Sequence, residues 1–283
     1  MRYDLVDRRC VVTGASSGIG KEIARNLAYF GATVVMACRD RTKGGAALEE
    51  IVADSGNDRV SLMIVDLSSL ASIRAFAKNI VAGGSPVHVL VNNAACIARA
   101  RRTSVDGIEL TWATNVLAYF ALTNLLVPCM RKSGPARVIH VASTYARGLD
   151  LADVQFERRR YHGLKAYAQS KQADRMIAWR LAQLLPAAEV SVHACHPGLV
   201  ASSLYREQGG WLRRALGLGS WLMKNEREGA LTPTFIAADP DVQTPSGRFW
   251  IDQAPVECEF AKQSDDVRAL WRLCADMTKT DAF

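Results

Sequence analysis

No Cys-x-x-Cys pair occurs in this sequence, and its seven cysteines (Cys10, Cys38, Cys96, Cys129, Cys195, Cys258, Cys274) are scattered along 283 residues. An odd, dispersed set argues against a disulfide framework or a zinc site. Several of these thiols sit inside apolar runs, where cysteine packs as a small hydrophobe. The five histidines have no metal-ligand spacing either, so no metal is expected. Also missing are a signal-peptide core behind Met1-Arg2-Tyr3-Asp4 and any apolar run approaching the ~18 residues of a membrane span. A cytoplasmic, reducing location is expected. No linker, repeat or low-complexity tract interrupts the chain, so residues 1–283 are expected to form one domain. The net charge of +7 is spread over short clusters such as Arg99 to Arg102 and Arg158 to Arg160. No basic module interleaved with aromatics stands out, which argues against nucleic acid as a partner. The run Arg158-Arg159-Arg160 reads as a solvated loop.

What is present is an alternation of short apolar runs and helical patterns. Arg9 to Thr13 reads as a buried strand, followed by Gly14-Ala15-Ser16-Ser17-Gly18-Ile19-Gly20 and a helical pattern to Phe30. Glycines between a strand and a helix let backbone approach a diphosphate, and the helix N-terminus supplies amide donors. The next strand, Thr33 to Ala37, runs into Cys38-Arg39-Asp40. An acidic residue at that edge would hold ribose hydroxyls, whereas an arginine accommodates a 2′-phosphate. Arg39 therefore favours NADP(H), with Asp40 leaving the NAD(H) alternative open. Further strands are expected at Val60 to Val65 (before Asp66-Leu67), Val87 to Val91 (before Asn92-Asn93-Ala94), Arg137 to Ala142 (before Ser143), Val190 to Cys195 (before His196-Pro197-Gly198) and, last, Phe249 to Ile251. Helical patterns cover 70–81, 105–130 and 267–277, the second carrying Asn115 on an apolar background. Such alternation predicts an α/β fold, a doubly wound parallel sheet of Rossmann type flanked by helices.

Residues 164–185 form another helical pattern, ended by Pro186, and it opens with Tyr167-Ala168-Gln169-Ser170-Lys171. Positions four apart share a helix face. A free tyrosine titrates near ~10, and moving it to about 7 requires roughly 4 kcal/mol of preference for the phenolate. A unit charge about 4 Å away supplies that much at an effective dielectric near ~20. Lys171 can therefore make Tyr167 a working acid–base group, although on the spacing alone the pair fits an ordinary exposed polar helix face better.

Taken in order, Thr13 to Gly20, Asp66, Asn92-Asn93-Ala94, Asn115, Ser143, Tyr167-x-x-x-Lys171 and Pro197-Gly198 resemble the motifs of the short-chain dehydrogenase/reductase family over nearly the whole chain. Ala37-Cys38-Arg39-Asp40 and the long interval from Ser143 to Tyr167 look like its retinol-dehydrogenase and protochlorophyllide-reductase branch. One departure is Ala95, where many members carry glycine. The resemblance implies a cofactor half to about residue 145 and a catalytic and substrate half beyond it. It implies hydride transfer between NADP(H) and a carbonyl or alcohol. Tyr167 would be the acid/base, Ser143 would polarise the substrate oxygen, and Lys171 would lower the Tyr167 pKa and bind ribose. Asn115 would hold a relay water. Gly14, Ser16, Ser17, Gly18, Ile19 and Gly20 would line the diphosphate, Arg39 the 2′-phosphate, Asp66 and Leu67 the adenine. Asn92 would take the adenosine side of the ribose–nicotinamide path, and Asn93, Ala94, Pro197 and Gly198 would also contact the cofactor.

The resemblance also places a helical substrate lid at 199–228, where Trp211, Leu212, Leu216, Leu218, Trp221, Leu222 and Met223 suit a lipophilic substrate. A helix packed on the core and, behind it, a basic amphipathic segment on a membrane surface are the less favoured readings of that stretch. No apolar anchor precedes the first strand, so retinol itself is not the expected substrate. The family implies a homodimer or homotetramer through the helix pair that includes 164–185. Two other functions stay open: a non-catalytic NADPH-binding protein, or an epimerase or dehydratase that uses the cofactor internally.

Overall fold

The computed structural model describes residues 3–199, 224–262 and 264–280. Seven parallel strands and one antiparallel edge strand form one sheet: β1 (Arg9–Thr13), β2 (Thr33–Cys38), β3 (Val60–Ile64), β4 (Val89–Asn92), β5 (Ala136–Val141), β6 (Val190–His196), β7 (Phe249–Ile251) and β8 (Ala254–Val256). Their order is β3-β2-β1-β4-β5-β6-β7-β8. The winding reverses between β1 and β4, where Cys10, Val11 and Val12 pair with Val89, Leu90 and Val91. In such sheets a ligand crevice opens at the carboxyl ends beside the reversal.

Strand side chains alternate between faces, and here both faces are apolar and covered. Val11, Val35, Leu90, Val138 and Val192 point to one core, packed by α3 (Leu70–Ala82), α5 (Ala118–Met130), α6 (Gly163–Leu184) and α8 (Ser264–Thr278). Cys10, Val12, Val34, Met36, Val91, Ile139 and Cys195 point to the other, under α1 (Gly18–Tyr29), α2 (Arg41–Ser55) and α7 (Glu226–Ala238). All seven cysteines are free thiols, five of them buried. Among the described residues no cluster of potential metal ligands occurs.

Several boundaries differ from expectation. Phe249–Ile251 is not the last strand: β8 turns back antiparallel to it. The helix expected from Val105 begins at Leu110, as α4 (Leu110–Trp112), and continues through a π-helical turn (Ala113–Leu117) into α5. Residues 103–109 instead form a turn closed by a Thr103–Glu109 bridge, with Gly107 at φ 75°. Glu109 caps the helix, accepting from the amides of Thr111 and Trp112 at 2.9 and 2.7 Å.

One helical stretch, Leu110–Ser133, is long and apolar enough to cross a membrane, contrary to the expected lack of such a run, but 78% of its apolar window is buried within the fold. It is a core helix. The Arg158–Arg160 run is not wholly solvated. Arg159 bonds Asp153 at 3.1 Å and Gln169 at 3.1 Å and stacks 4.4 Å from the Phe156 ring, whereas Arg158 is exposed.

The helix pair expected to carry an oligomer contact is covered by the chain itself. Ala173, Met176, Ile177 and Leu181 of α6 share a core with Val267, Leu270, Trp271 and Cys274 of α8, and Trp271 stacks edge-on against Phe120 at 4.8 Å. Arg175 lies between the rings of Phe249 and Phe260, at 3.8 and 4.6 Å. Residues 200–223, most of the expected lid, lie outside the described residues. The lid's expected end is corrected: Asn225 and Glu228 form a reciprocal capping box that starts α7, a helix packed on the sheet.

Candidate active site

The glycine turn after β1 is braced from beneath. Asn93 donates its side-chain amide to the Thr13 carbonyl (2.9 Å), and the backbone amides of Asn93 and Ala94 donate to Thr13 Oγ1 (2.9 and 3.1 Å). A β-carbon on Gly20 would lie 2.4 Å from both Asn93 Nδ2 and the Gly14 carbonyl oxygen. Above Gly18 the space is open, with nothing within 4 Å of an added β-carbon. Ser17, the N-cap of α1, makes no side-chain cap. The first-turn amides of α1 therefore face that space without a capping acceptor, which suits a diphosphate.

At the end of β2, Arg39 is exposed, with no hydrogen-bond or ion-pair partner among the described residues. Asp40 is committed elsewhere. It is the N-cap of α2, accepting from the amides of Thr42 and Lys43 at 3.0 Å each, and the Lys43 bond leads in holding its carboxyl below the usual value. Cys38 is buried, which pushes its thiol up to about 11 despite hydrogen bonds from the Ala15 amide and the Ser16 side chain. At the end of β3, one Asp66 oxygen accepts from the Ser68 amide (2.9 Å) and hydroxyl (2.7 Å), with Leu67 buried beside it.

Asn92 departs from its expected place. It is fully buried and donates to Thr123 Oγ1 of α5 at 3.0 Å. Strand alternation sends Asn92 and Asn93 to opposite faces, so the Asn92 side chain lies inside the sheet packing rather than in the crevice.

Ser143 follows β5, and Lys171 of α6 reaches the same strand end through the Val141 carbonyl, with Tyr167 one turn earlier on α6. The three are 5%, 6% and 1% exposed, so an incoming oxygen would meet them largely shielded from water. Ser143 Oγ accepts from the Tyr145 amide at 3.0 Å, which leaves its hydroxyl hydrogen available to donate. Lys171 Nζ lies 5.8 Å from the centre of the Tyr167 ring. It donates to the Val141 carbonyl of β5 and to Asp174 Oδ2, both at 2.9 Å. Burial opposes the Lys171 charge, but the Asp174 carboxylate holds its pKa above the ordinary lysine value.

Asn115 is a three-way brace. Its Oδ1 accepts from the Cys96 amide (2.8 Å), and its Nδ2 donates to the Cys96 carbonyl (3.1 Å) and Ser170 Oγ (3.0 Å). Both amide hydrogens are spent on tying the loop after β4 to α6, so the side chain braces the site, and Oδ1 accepts only one of the two bonds it can take. The π-helical turn at Ala113–Leu117 is where the helix widens to make this link. Pro197 and Gly198 follow β6, and a β-carbon on Gly198 would meet the Lys224 side chain at 2.6 Å. Lys224 is held there by its backbone bond to the Leu199 carbonyl (2.8 Å) and its ion pair with Asp252.

Sequence reasoning missed two groups at this site. Asp174 was not singled out, although its spacing of three from Lys171 puts it on the same helix face. His196 was read only as the end of a strand. It lies near Thr144, with ring nitrogens 3.4 Å from that amide and hydroxyl, and burial pushes its pKa down to about 4.

Comparison with known proteins agrees with this geometry. The short chain dehydrogenase family pattern matches residues 8–212. The chain is 39% identical over 274 residues to polyprenol dehydrogenase of Mus musculus, covering 93% of this chain and 82% of that one. It is 39% identical over 270 residues to retinol dehydrogenase 12 of Homo sapiens, covering 94% and 85%. A solved structure of a protein from Mycobacterium Paratuberculosis superposes with a TM-score of 0.79 at 32% identity, covering 100% and 97%. The sheet order, the glycine turn at the winding reversal and these similarities together make the chain a member of the short-chain dehydrogenase/reductase family, an oxidoreductase of its retinol-dehydrogenase branch.

Proposed function

We propose that this protein is an NADP(H)-dependent oxidoreductase acting on the carbonyl or alcohol of a lipophilic small molecule, with Tyr167 as the acid/base. The observation that carries the reading is the buried Tyr167–Lys171 pair of α6, which Lys171 ties to the Val141 carbonyl at the end of β5, the strand that buried Ser143 follows. The bound nicotinamide supplies or accepts the hydride. In reduction, Tyr167 gives its phenolic proton to the substrate oxygen while Ser143 donates a hydrogen bond to the same atom and stabilises its growing charge. Lys171 spends two N–H groups on Val141 and Asp174, leaving a third for the ribose or the Tyr167 oxygen. The α1 amides with Gly14, Ser16, Ser17, Gly18, Ile19 and Gly20 hold the diphosphate, and Asp66, Leu67, Ala94, Pro197 and Gly198 border the rest of the cofactor.

The unpaired Arg39 beside a capped Asp40 supports NADP(H) over NAD(H). A polyprenol and a retinol dehydrogenase among the relatives support a lipophilic alcohol or carbonyl. In this reading the chain is one domain with its cofactor half to about residue 145, and any self-association lies outside the α5–α6 face that α8 covers.

The test is NADPH consumption with a panel of long-chain aldehydes and ketones, run beside Tyr167→Phe. Turnover is expected to fall by about 10²-fold or more in the variant, with the NADPH-induced shift in melting temperature retained. Equal turnover in the two proteins would refute the assignment of Tyr167.

A further inference from the structure

Tyr167, Lys171 and Asp174 occupy one stripe of α6, at spacings of four and three. Lys171 and Asp174 are 1% and 0% exposed at their side chains, and their Nζ–Oδ2 distance is 2.9 Å. The second carboxylate oxygen, Oδ1, is buried with no hydrogen-bond partner among the described residues. A buried ion pair is expensive to maintain. An asparagine would fill the same volume and accept the same bond from Lys171 without a second buried charge, so the charge itself calls for a use.

Neighbours on every packed element are poor candidates for neutralising Lys171 instead. Tyr119 of α5 and Cys195 of β6 are pushed up by burial and stay protonated, and so is Cys274 of α8. Cys96, on the loop after β4, is raised by burial to about 11. His140 of β5 is lowered by burial to about 4 and stays neutral, with its Nδ1 3.2 Å from the Asp174 carbonyl. Asp174 itself is pushed up by burial, to about 6, against the pull of Lys171. Above that pH it is the carboxylate that faces the ammonium.

We propose that Asp174 is a positioning residue for the Tyr167–Lys171 acid–base pair: its buried carboxylate holds Lys171 in place, offsets the ammonium charge, and so sets the pH at which the pair gives up its proton. The inference rests on Tyr167 and Lys171 acting as that pair. Its sign for Tyr167 holds while Lys171 stays the ammonium as the phenol titrates. Removing a negative charge from a coupled cluster makes the next proton easier to lose. At an effective dielectric near ~20, a unit charge ~6–10 Å away moves a pKa by about one to two units.

The experiment is a tyrosinate absorbance titration of the cofactor-free protein, taken as the difference between each protein and its Tyr167→Phe counterpart. In Asp174→Asn the Tyr167 midpoint is expected about one unit more acid than in the parent. Asp174→Ser, a smaller neutral side chain, is expected to give the same shift, and thermal melting verifies that each variant is folded. A midpoint that stays put or moves to alkaline pH in a folded variant overturns the proposal. Failure of both neutral variants to fold also overturns it, because Asp174 would then be a stability residue. The titration needs no substrate, so an error in the assigned reaction, revealed by Tyr167→Phe retaining turnover, is read separately.

Discussion

A methyl group at residue 20 has nowhere to go, because the Gly14 carbonyl oxygen and Asn93 Nδ2 would each lie 2.4 Å from it. Backbone on one side cannot yield as a flexible side chain would. Gly20→Ala should therefore cost about 1–3 kcal/mol, the usual range for overpacking, and weaken NADPH because the α1 amides shift with the turn. Urea unfolding and calorimetric NADPH binding would measure both, and unchanged values would show that the turn relaxes freely. Arg39→Ala should weaken NADPH by about ten-fold or more while leaving NADH nearly unchanged, as expected for loss of a charge-assisted hydrogen bond. Asp40→Ala is the informative control. It should lower the melting temperature by removing the α2 cap without altering the preference between the two cofactors. At this scale the sequence was a good guide to residue types and a poorer guide to commitments. Asn92 and Asn93 look equivalent in a string, yet strand alternation buries one against Thr123 and leaves the other to brace Thr13.

Among the elements, α8 decides how one face of α6 is covered. It packs Val267, Leu270, Trp271 and Cys274 into the same core as α6, and Trp271 meets Phe120 of α5. Trp271→Ala should destabilise the protein by about 3–5 kcal/mol, the usual cost of truncating a buried tryptophan, read as a lower urea midpoint. A change near zero would mean that α8 packs loosely and leaves the α5–α6 face available. The α8 stripe was legible from its spacing, because an amphipathic helix announces its apolar face. What it covers was not, since the partner residues lie some 100 positions earlier. The late start of α4 also escaped the pattern: apolar spacing runs on from Val105, but Gly107 and the Glu109 cap hold residues 103–109 as a turn.

For the molecule as a whole, the buried histidines tie stability to pH. Burial lowers His140 to about 4, His193 to about 3 and His196 to about 4, from an ordinary 6.5. Unfolding frees each to bind a proton near pH 6.5, so their stabilisation is complete above that pH and is lost as pH falls toward 4. By pH 5 the loss is about 2 kcal/mol for each histidine. Asp174 works the other way, since its folded pKa is raised to about 6, but it is one group against three. Unfolding free energy should therefore drop between pH 7 and pH 5, and His193→Gln should flatten the drop. A flat profile across that range would contradict the burial of these rings.

The alternation of strands and helices, the glycine turn and the Tyr167–Lys171 spacing are all written in the amino-acid order. All of these are set by neighbours within a few residues, where backbone geometry and periodicity act directly. Which polar groups are already in use emerges from the folded packing. Lys171 reaches Val141 30 residues away, Asn115 reaches Ser170 55 residues away, and α8 closes over α5 and α6. Those pairings come from the packing of distant segments, and burial then changes the charge that each group carries.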